Sequence, residues 1–519
     1  MKRRDFCKLL GLSAAGGVIL PALPASAAAA AAGRAVPDGN YSIPFLSMLT
    51  ETDTAHDFYY SESFFDHSAA EYDHQLALAT LGMAMAAFNA AAGNDRYWVN
   101  GDVGRQDNIA AAYELLGFSD PVFYNYDLDV GKAGDFVGYS LARKTFTRNG
   151  RKRTLVALML RGGGYGGEWT SNFHLGSTSA HYGFTTPVAA VFASLKAYLT
   201  QIGQEGDPGE LKLWIGGYSR GAAIANLTAA KALNTLSQLK KENVFVYTFA
   251  TPAALTADDQ PDMQMDFDNN HDADGALRAD WAESSFFNIL SSGDIVTRVL
   301  PGEWGYFRNG NDRFLPATKN RFELQYLNEL SASYGPDPLD FTTLADAEDT
   351  NALVETMVKF FGSKEQFHEK YEAAFMDMMQ CAFTRTEDEV TYGKILSDEE
   401  IIFRLQNLSN MHQFDFWQIA RSVWAASKMS RPILERYGQN VPLRAKQILI
   451  PVLAVGLCYG VEADVVRVMA QYIIKLVSIR GEPDSGLRSA YCHYGENYLA
   501  LMEYYSPEDH GLQPFTRLE

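Results

Sequence analysis

Cysteine is nearly absent: there are 4 in 519 residues. Cys7 precedes the first apolar stretch, so it is not placed as a lipoprotein acceptor. The other three, Cys381, Cys458 and Cys492, cannot pair completely, which excludes a disulfide scaffold. Long apolar runs are missing too. The longest candidate, Ile448 to Tyr459 (ILIPVLAVGLCY), has 12 residues and contains Pro451. That is short of the roughly 18 a membrane span needs, so it reads as a buried helix. Basic charge is in deficit, with 44 Lys and Arg against 63 Asp and Glu and a net charge of −19. So acidic a surface repels nucleic acid and anionic lipid and favours solubility, and it says nothing about fold. No internal repeat is present.

The chain begins MKRRDFCKLLGLSAAGGVILPALPASAAAA. Lys2-Arg3-Arg4-Asp5-Phe6 is a twin-arginine start. A modest apolar stretch runs from about Leu9 to Leu23, and Ala25-Ser26-Ala27 offers an A-x-A cleavage site. Residues 1–27 therefore read as a Tat-type export signal, and the expected destination is the periplasm or the outside of the cell. They carry four basic side chains against one acidic, so removing them would leave −22. Folding before export in a reducing compartment fits the sparse cysteines.

Strand signals come next. Val122–Tyr126 and Phe136–Lys144 look like strands. Thr154–Leu160 (TLVALML), Leu211–Ile215, Val244–Phe249 (VFVYTF) and Phe286–Leu290 (FFNIL) are near-continuous apolar runs of the kind buried in a parallel sheet. Helical stretches alternate with several of them, the first being Asp73–Ala92. The pattern is an α/β fold with a mostly parallel sheet. After about Ser331 the texture becomes helical. Ala352–Ala382 and Asp398–Met429 read as long amphipathic helices, the second opened by a capping box at Ser397-Asp-Glu-Glu400, and Pro442–Ile479 is again helical and very apolar. The expected layout is a core over residues 28–335, a helical insertion over 336–480 and a return to the core over 481–519.

One turn in this pattern carries chemistry. Gly217-Tyr218-Ser219-Arg220-Gly221 is a G-x-S-x-G motif. With 42 glycines in the chain the motif is easy to meet by accident, so context decides. Here a short apolar strand precedes it, and a helix with small side chains (Gly221-Ala-Ala-Ile-Ala) follows it. That order is a nucleophile elbow, a strained turn that exposes the serine and aims a helix N-terminus at it. The competing reading is an ordinary Gly-rich turn.

A serine nucleophile needs an acid and a histidine further along the chain. Asp294 follows the strand FFNIL, 75 residues past Ser219. Among the later histidines, His368 and His412 lie inside the helical block and read as packing or surface residues, and His510 lies in the tail. His493, in a loop-like stretch before a short helix, is the best-placed base. An oxyanion needs backbone N–H groups on an earlier loop. TLVALML runs directly into Arg161-Gly-Gly-Gly-Tyr-Gly-Gly-Glu-Trp-Thr-Ser-Asn172, so the N–H groups of Gly163 and Arg220 are the candidates. The same loop matches G-x-G-x-x-G at Gly162, Gly164 and Gly167. No apolar helix or later strand-terminal acid accompanies it, which argues against a dinucleotide site.

Together RGGGYGGEWTSNF, HYGF (His181 to Phe184), GYSRGAAIANLTAA, VYTFATPAA, NILSSGDIVTRVLPGEWGYFRNG and CHYGENYLALM resemble bacterial secreted proteins of the lipase class three type, which are α/β-hydrolases. The resemblance covers most of 55–310 plus 489–503 and omits the helical block. It implies Ser219 as nucleophile, Asp294 as acid and His493 as base, acting on an ester or lipid substrate with transient contact to lipid aggregates. It implies no metal or organic cofactor and no nucleic-acid partner. Gly163 stands where the family usually has Thr or Ser, leaving backbone N–H groups alone in the hole, and Tyr218 stands where it usually has histidine. A phospholipase or acyltransferase would use the same residues, and a binding protein could keep the fold without the activity. The helical block is either a lid or pocket wall or a second core. The acidic stretch Asp266–Gly275 imitates the start of an EF-hand, but Trp281 occupies the twelfth position where a bidentate Glu is needed. It reads as a solvated loop.

Overall fold

The computed structural model describes residues 33–50, 52–88, 105–126, 135–163, 166–176, 180–203, 211–256, 282–315, 321–335, 338, 341, 344–383, 396–437, 443–477, 491–507 and 511–512. Residues 1–27 (the expected export signal), His510, the acidic stretch and Trp281 lie outside these residues.

The chain opens with a hairpin, β1 (Gly39–Leu46) paired antiparallel to β2 (Asp53–Tyr60). Helix α1 (His74–Ala86) and α2 (Asp107–Leu115) follow. Three strands come next: β3 (Ser119–Tyr124), β4 (Tyr139–Arg148) and β5 (Arg151–Leu160). A short helix α3 (Gly166–Ser171) leads to α4 (Tyr182–Gln201), β6 (Leu211–Tyr218), α5 (Arg220–Thr235) and β7 (Val244–Phe249). A two-residue β8 (Leu255–Thr256), β9 (Phe286–Ser291), β10 (Tyr306–Phe307) and β11 (Asn311–Leu315) complete the forward run.

Eight strands form one sheet in the order β12-β11-β9-β7-β6-β5-β4-β3, with β12 (Gly511–Leu512) returning from the end of the chain. The four pairings from β5 through β6, β7 and β9 to β11 are parallel, and the three outer pairings are antiparallel. Strands β6, β7 and β9 are buried along their whole length, which is why their sequences read as unbroken apolar runs. Alternate residues serve opposite faces. Val156, Leu158, Leu213, Ile215, Val244 and Val246 pack against α4 and α5. Leu155, Ala157, Met159, Trp214 and Phe245 pack against α1 on the other side, where Trp214 Nε1 donates to Thr80 Oγ1 at 2.8 Å. Helices on both faces of a mainly parallel sheet, with a strand–turn–helix at its centre, make this an α/β-hydrolase fold.

After β11 the chain is helical: α6 (Arg321–Tyr334), α7 (Ala347–Phe361), α8 (Lys364–Phe367), α9 (Ala373–Phe383), α10 (Asp398–Asn407), α11 (Phe416–Tyr437), α12 (Leu443–Cys458) and α13 (Ala463–Val477). Both long helices expected from the sequence are broken, and the third helical stretch is two helices. The first ends at Gly362 (φ 76°) and the third at Gly460 (φ 82°), left-handed positions that glycine supplies as helix stops. The second breaks at Leu408, which is extended. The capping box at Ser397 and Glu400 is present. Helix α9 packs on α3, and α7 packs on the turn after β9, so this block borders the C-terminal edge of the sheet. Helix α14 (Gly495–Tyr504) then returns to pack on α1 and α6. Among the described residues, no helix is long and apolar enough to cross a membrane.

Candidate active site

Ser219 sits between β6 and α5 with φ 53° and ψ −125°, a conformation that costs a residue with a Cβ about 1–3 kcal/mol. The surrounding structure imposes it. The N–H of Ser219 donates to the Phe249 carbonyl at 2.9 Å, and its own carbonyl accepts from the N–H groups of Ala222 (2.9 Å) and Ala223 (3.2 Å). The two flanking glycines are a matter of space. A Cβ on Gly217 would stand 2.7 Å from the Gly221 carbonyl oxygen. One on Gly221 would stand 2.3 Å from the Arg161 carbonyl oxygen and 2.6 Å from that of Leu160. The end of β5 therefore lies directly against the elbow.

The three residues that the sequence singles out are brought together. His493 Nε2 is 2.9 Å from Ser219 Oγ, and His493 Nδ1 is 2.8 Å from Asp294 Oδ2. Asp294 is fully buried. It caps the 3-10 turn Ile295–Arg298, its Oδ1 accepting from the Val296 N–H at 2.9 Å. His493 ends a 3-10 turn, Tyr491–His493, immediately before α14. The other histidines stand apart from this group. His368 pairs with Glu372 inside the helical block, and His412 is exposed.

Several groups around the three are not evident from sequence. Tyr498 O–H donates to Asp294 Oδ2 at 2.8 Å and accepts from the Ser291 N–H at 3.0 Å, so two donors share one carboxylate oxygen. Tyr218 O–H donates to the His493 carbonyl at 3.0 Å, and its ring packs against the imidazole with centroids 5.7 Å apart. Burial keeps both phenols far above their ordinary pKa, so they serve as neutral donors. Glu496, also buried, accepts from Ser47 Oγ (2.8 Å) and from the N–H groups of Met48 (2.8 Å) and Leu49 (3.3 Å), tying α14 to the turn after β1.

The side chain of Arg220 points away from Ser219 into the protein. It donates to the carbonyls of Phe136 (2.8 and 3.0 Å) and Gly183 (2.9 Å) and to Asn172 Oδ1 (3.1 Å). Burial draws its pKa down to about 10, which leaves it charged at neutral pH. Arg161 pairs with Glu168 at 2.8 Å, both buried. That pair pins the start of the Gly-rich loop to α3, a helix in a stretch that reads as loop. Gly163 follows Arg161 by two residues and is half-buried. Arg220 is the first residue of α5, so its N–H lacks the helical acceptor that later residues have. His181, the residue before α4, is fully buried, with Nε2 bonded to the Asn172 carbonyl. Burial pushes its pKa down to about 3, so it is neutral at physiological pH. A cleft of about 520 Å³ opens beside this loop, lined by His174, Gly176 and Tyr182 and by His368, Glu372, Ala373 and Met376 of the helical block. No group of three His, Cys, Asp or Glu side chains among the described residues is placed to hold a metal ion.

The arrangement is a hydroxyl hydrogen-bonded to an imidazole that is in turn oriented by a buried carboxylate, at a helix N-terminus. Such a set can deprotonate the serine as it attacks an acyl carbon and can bind the resulting oxyanion. Residues 163–304 match the family model for Lipase (class 3), a stretch that includes Ser219 and Asp294 but ends before His493. No curated protein sequence matches the chain. Among solved structures, a triacylglycerol lipase described as having a serine protease triad at its catalytic centre is similar at 15% identity and a TM-score of 0.31, over 53% of this chain and 95% of that one. The Rhizomucor miehei lipase in complex with its propeptide is similar at 16% identity and a TM-score of 0.29, over 49% and 70%. Lipase II from Rhizopus niveus is similar at 14% identity and a TM-score of 0.28, over 46% and 79%.

Proposed function

We propose that the protein is a serine hydrolase of lipid-like carboxylic esters. The observation that carries the reading is the continuous hydrogen-bond path from Ser219 Oγ through His493 to buried Asp294 at a strained elbow. The match of residues 163–304 to the class 3 lipase model supports the lipid-ester class.

In this reading His493 Nε2 takes the proton of Ser219 as Oγ attacks the ester carbonyl. Asp294 holds the ring with Nδ1 protonated and stabilises the imidazolium. The N–H groups of Arg220 and Gly163 receive the oxyanion, each donor contributing about 3 kcal/mol in comparable sites. His493 returns the proton to the leaving alcohol. Water activated by the same imidazole then cleaves the acyl-enzyme. The reading extends to export through the twin-arginine signal at residues 1–27 and to the helical block as a wall of the acyl-binding cleft.

The test is hydrolysis of p-nitrophenyl esters from acetyl to palmitoyl, with Ser219→Ala and His493→Ala beside the wild type, together with fluorophosphonate labelling. The expected outcome is turnover and labelling at Ser219 in the wild type and loss of both in Ser219→Ala. Turnover that survives in Ser219→Ala overturns the assignment. Absence of both turnover and labelling in folded wild type overturns the activity.

A further inference from the structure

We infer that the outer face of α11 is a docking surface for anionic phospholipid bilayers. The helix buries one face, through Ile419, Ala420, Val423 and Ala426. The opposite face carries Trp417, Arg421, Trp424, Lys428 and Arg431, all exposed. Their spacing of four, three, four and three residues keeps them within an arc of about 80° and along about 21 Å of helix. Trp417 is 61% exposed and Trp424 47%, whereas the other two tryptophans with described side chains, Trp214 and Trp304, are buried. Phe416 extends the apolar end, its ring edge-on to Trp417 with centroids 5.2 Å apart, and Phe403 on the adjacent α10 is 67% exposed.

Two features identify the occupant. Tryptophan left in water is costly unless it has an amphipathic boundary to enter, and the membrane interface is where its ring and N–H are both accommodated. From Trp417 to Arg431 the charges along the stripe are all positive in a chain of net −19, and Glu435, one turn further, is the single acidic residue at the same spacing. No ion pair involves Arg421, Lys428 or Arg431 among the described residues. Two carboxylates beside the helix are engaged at its flank and start: Asp398 accepts from Ser427 Oγ at 2.8 Å, and Asp415 from the Gln418 N–H at 2.8 Å. Two stripes facing each other would oppose like charges, which disfavours a second copy as the occupant. Interleaved Trp and Arg or Lys on one helical face fit a surface with phosphate charge outside and acyl chains beneath. The overall acidity of the chain does not cancel this. Over the Debye length of about 8 Å at physiological salt, the stripe rather than the distant surface sets the local potential.

The inference does not rest on the catalytic reading, and its test separates the two. Full-length Ser219→Ala protein is sedimented with phosphatidylcholine vesicles and with vesicles of phosphatidylcholine plus phosphatidylglycerol. The protein is expected to bind the anionic vesicles at least about tenfold more tightly and to release them as salt rises. Adding Trp417→Ala with Trp424→Ala, or Arg421→Glu with Lys428→Glu, is expected to lower that binding about tenfold or more. The same pairs placed in the wild type should leave hydrolysis of a soluble short-chain ester unchanged. Equal binding to both vesicle types, no binding to either, or unaltered binding by both double variants overturns the proposal. So does sedimentation as a dimer that the same substitutions dissociate.

Discussion

Replacing Gly221 with alanine tests the placement of the proposed oxyanion loop without touching any group proposed to react. The added Cβ would stand 2.3 Å from the Arg161 carbonyl oxygen and 2.6 Å from that of Leu160. A carbon and a carbonyl oxygen settle at about 3.3 Å, so the end of β5 and the elbow must separate by about 1 Å. Both obstacles are backbone atoms that a rotamer change cannot relieve: Leu160 is opposite Gly217 in the β5–β6 ladder, and Arg161 just beyond it is tied by its N–H to the Gly138 carbonyl at 2.8 Å. The overpacking should cost about 1–3 kcal/mol of stability. The larger effect is on rate. Gly163 follows Arg161 by two residues, so the same displacement moves its N–H away from the Arg220 N–H. Misplacement by about 1 Å, or loss of one oxyanion donor, lowers kcat about 100-fold. KM should change little, because the ground-state ester makes few of these contacts. The assay is steady-state hydrolysis of p-nitrophenyl butyrate with active sites counted by fluorophosphonate, alongside a thermal melt. Gly39→Ala is the control, since nothing lies within 4 Å of its added Cβ. A folded Gly221→Ala enzyme with kcat within about threefold of wild type refutes the reasoning, because it would show that the loop and the elbow are not coupled at this spacing.

Two further outcomes are expected. Tyr498→Phe removes the second donor to Asp294 Oδ2 and the acceptor of the Ser291 N–H, so it should lower stability by about 1–3 kcal/mol. It should also reduce kcat by about tenfold with KM unchanged, since the carboxylate that orients His493 loses an anchor; unchanged kcat with reduced stability would make Tyr498 purely structural. Glu323 on α6 is buried, and its Oε2 meets no hydrogen-bond partner among the described residues; burial pushes its pKa up from 4.5 to about 8. A raised carboxyl pKa means the folded state holds more protons than the unfolded state between about pH 4.5 and 8. Stability from this group is therefore complete below that window and falls as pH rises through it, by at most about 5 kcal/mol. Glu323→Gln should flatten that slope and be the more stable protein at pH 9 in urea titrations, whereas an unchanged slope would place the titration elsewhere.

What the sequence made legible follows from how each feature is written in it. Strands β5, β6, β7 and β9 were readable because a strand buried on both faces must be apolar at every position. Ser219 was readable because a strand, two glycines and a helix of small residues seldom coincide around a serine for another reason. The β1–β2 hairpin was not: in DTAHDFYY the outward residues include Asp57 and Tyr59, and nothing marks one face as buried. The helix breaks at Gly362 and Gly460 were passed over because an isolated glycine in an amphipathic pattern reads as a tolerated interruption. The polar groups that brace the site escaped for a different reason. Arg161, Glu168, Arg220 and Glu496 are residue types usually found at the surface and Tyr498 is of an intermediate type, and only their partners permit burial of their polar groups. A faint signal existed for one of them: Arg161 directly follows the unbroken apolar run TLVALML and opens a Gly-rich loop, a place where a charge calls for a partner.

The separation of 199 positions from Asp294 to His493 poses a positioning problem, because the imidazole must meet a carboxylate and a serine delivered by distant parts of the chain. A ring held through the intervening helices would inherit every fluctuation of that block. The contacts show a different arrangement. Glu496 locks the start of α14 onto the turn after β1, Tyr498 locks its second turn onto Asp294 and the end of β9, and Tyr218 locks the His493 carbonyl onto the elbow itself. The Glu496–Ser47 bond and both Tyr498 bonds are buried, where an unmade hydrogen bond costs about 1–3 kcal/mol, and the Tyr218 bond is half-buried. The helical block touches this region at its margin, where the Ala345 carbonyl meets Cys492 Sγ at 3.6 Å and α7 packs on the turn that Asp294 caps. His493 is thus registered against the sheet and only bordered by the helices. That division lets the block vary in sequence and in its outer surface, the α11 stripe included, without moving the imidazole.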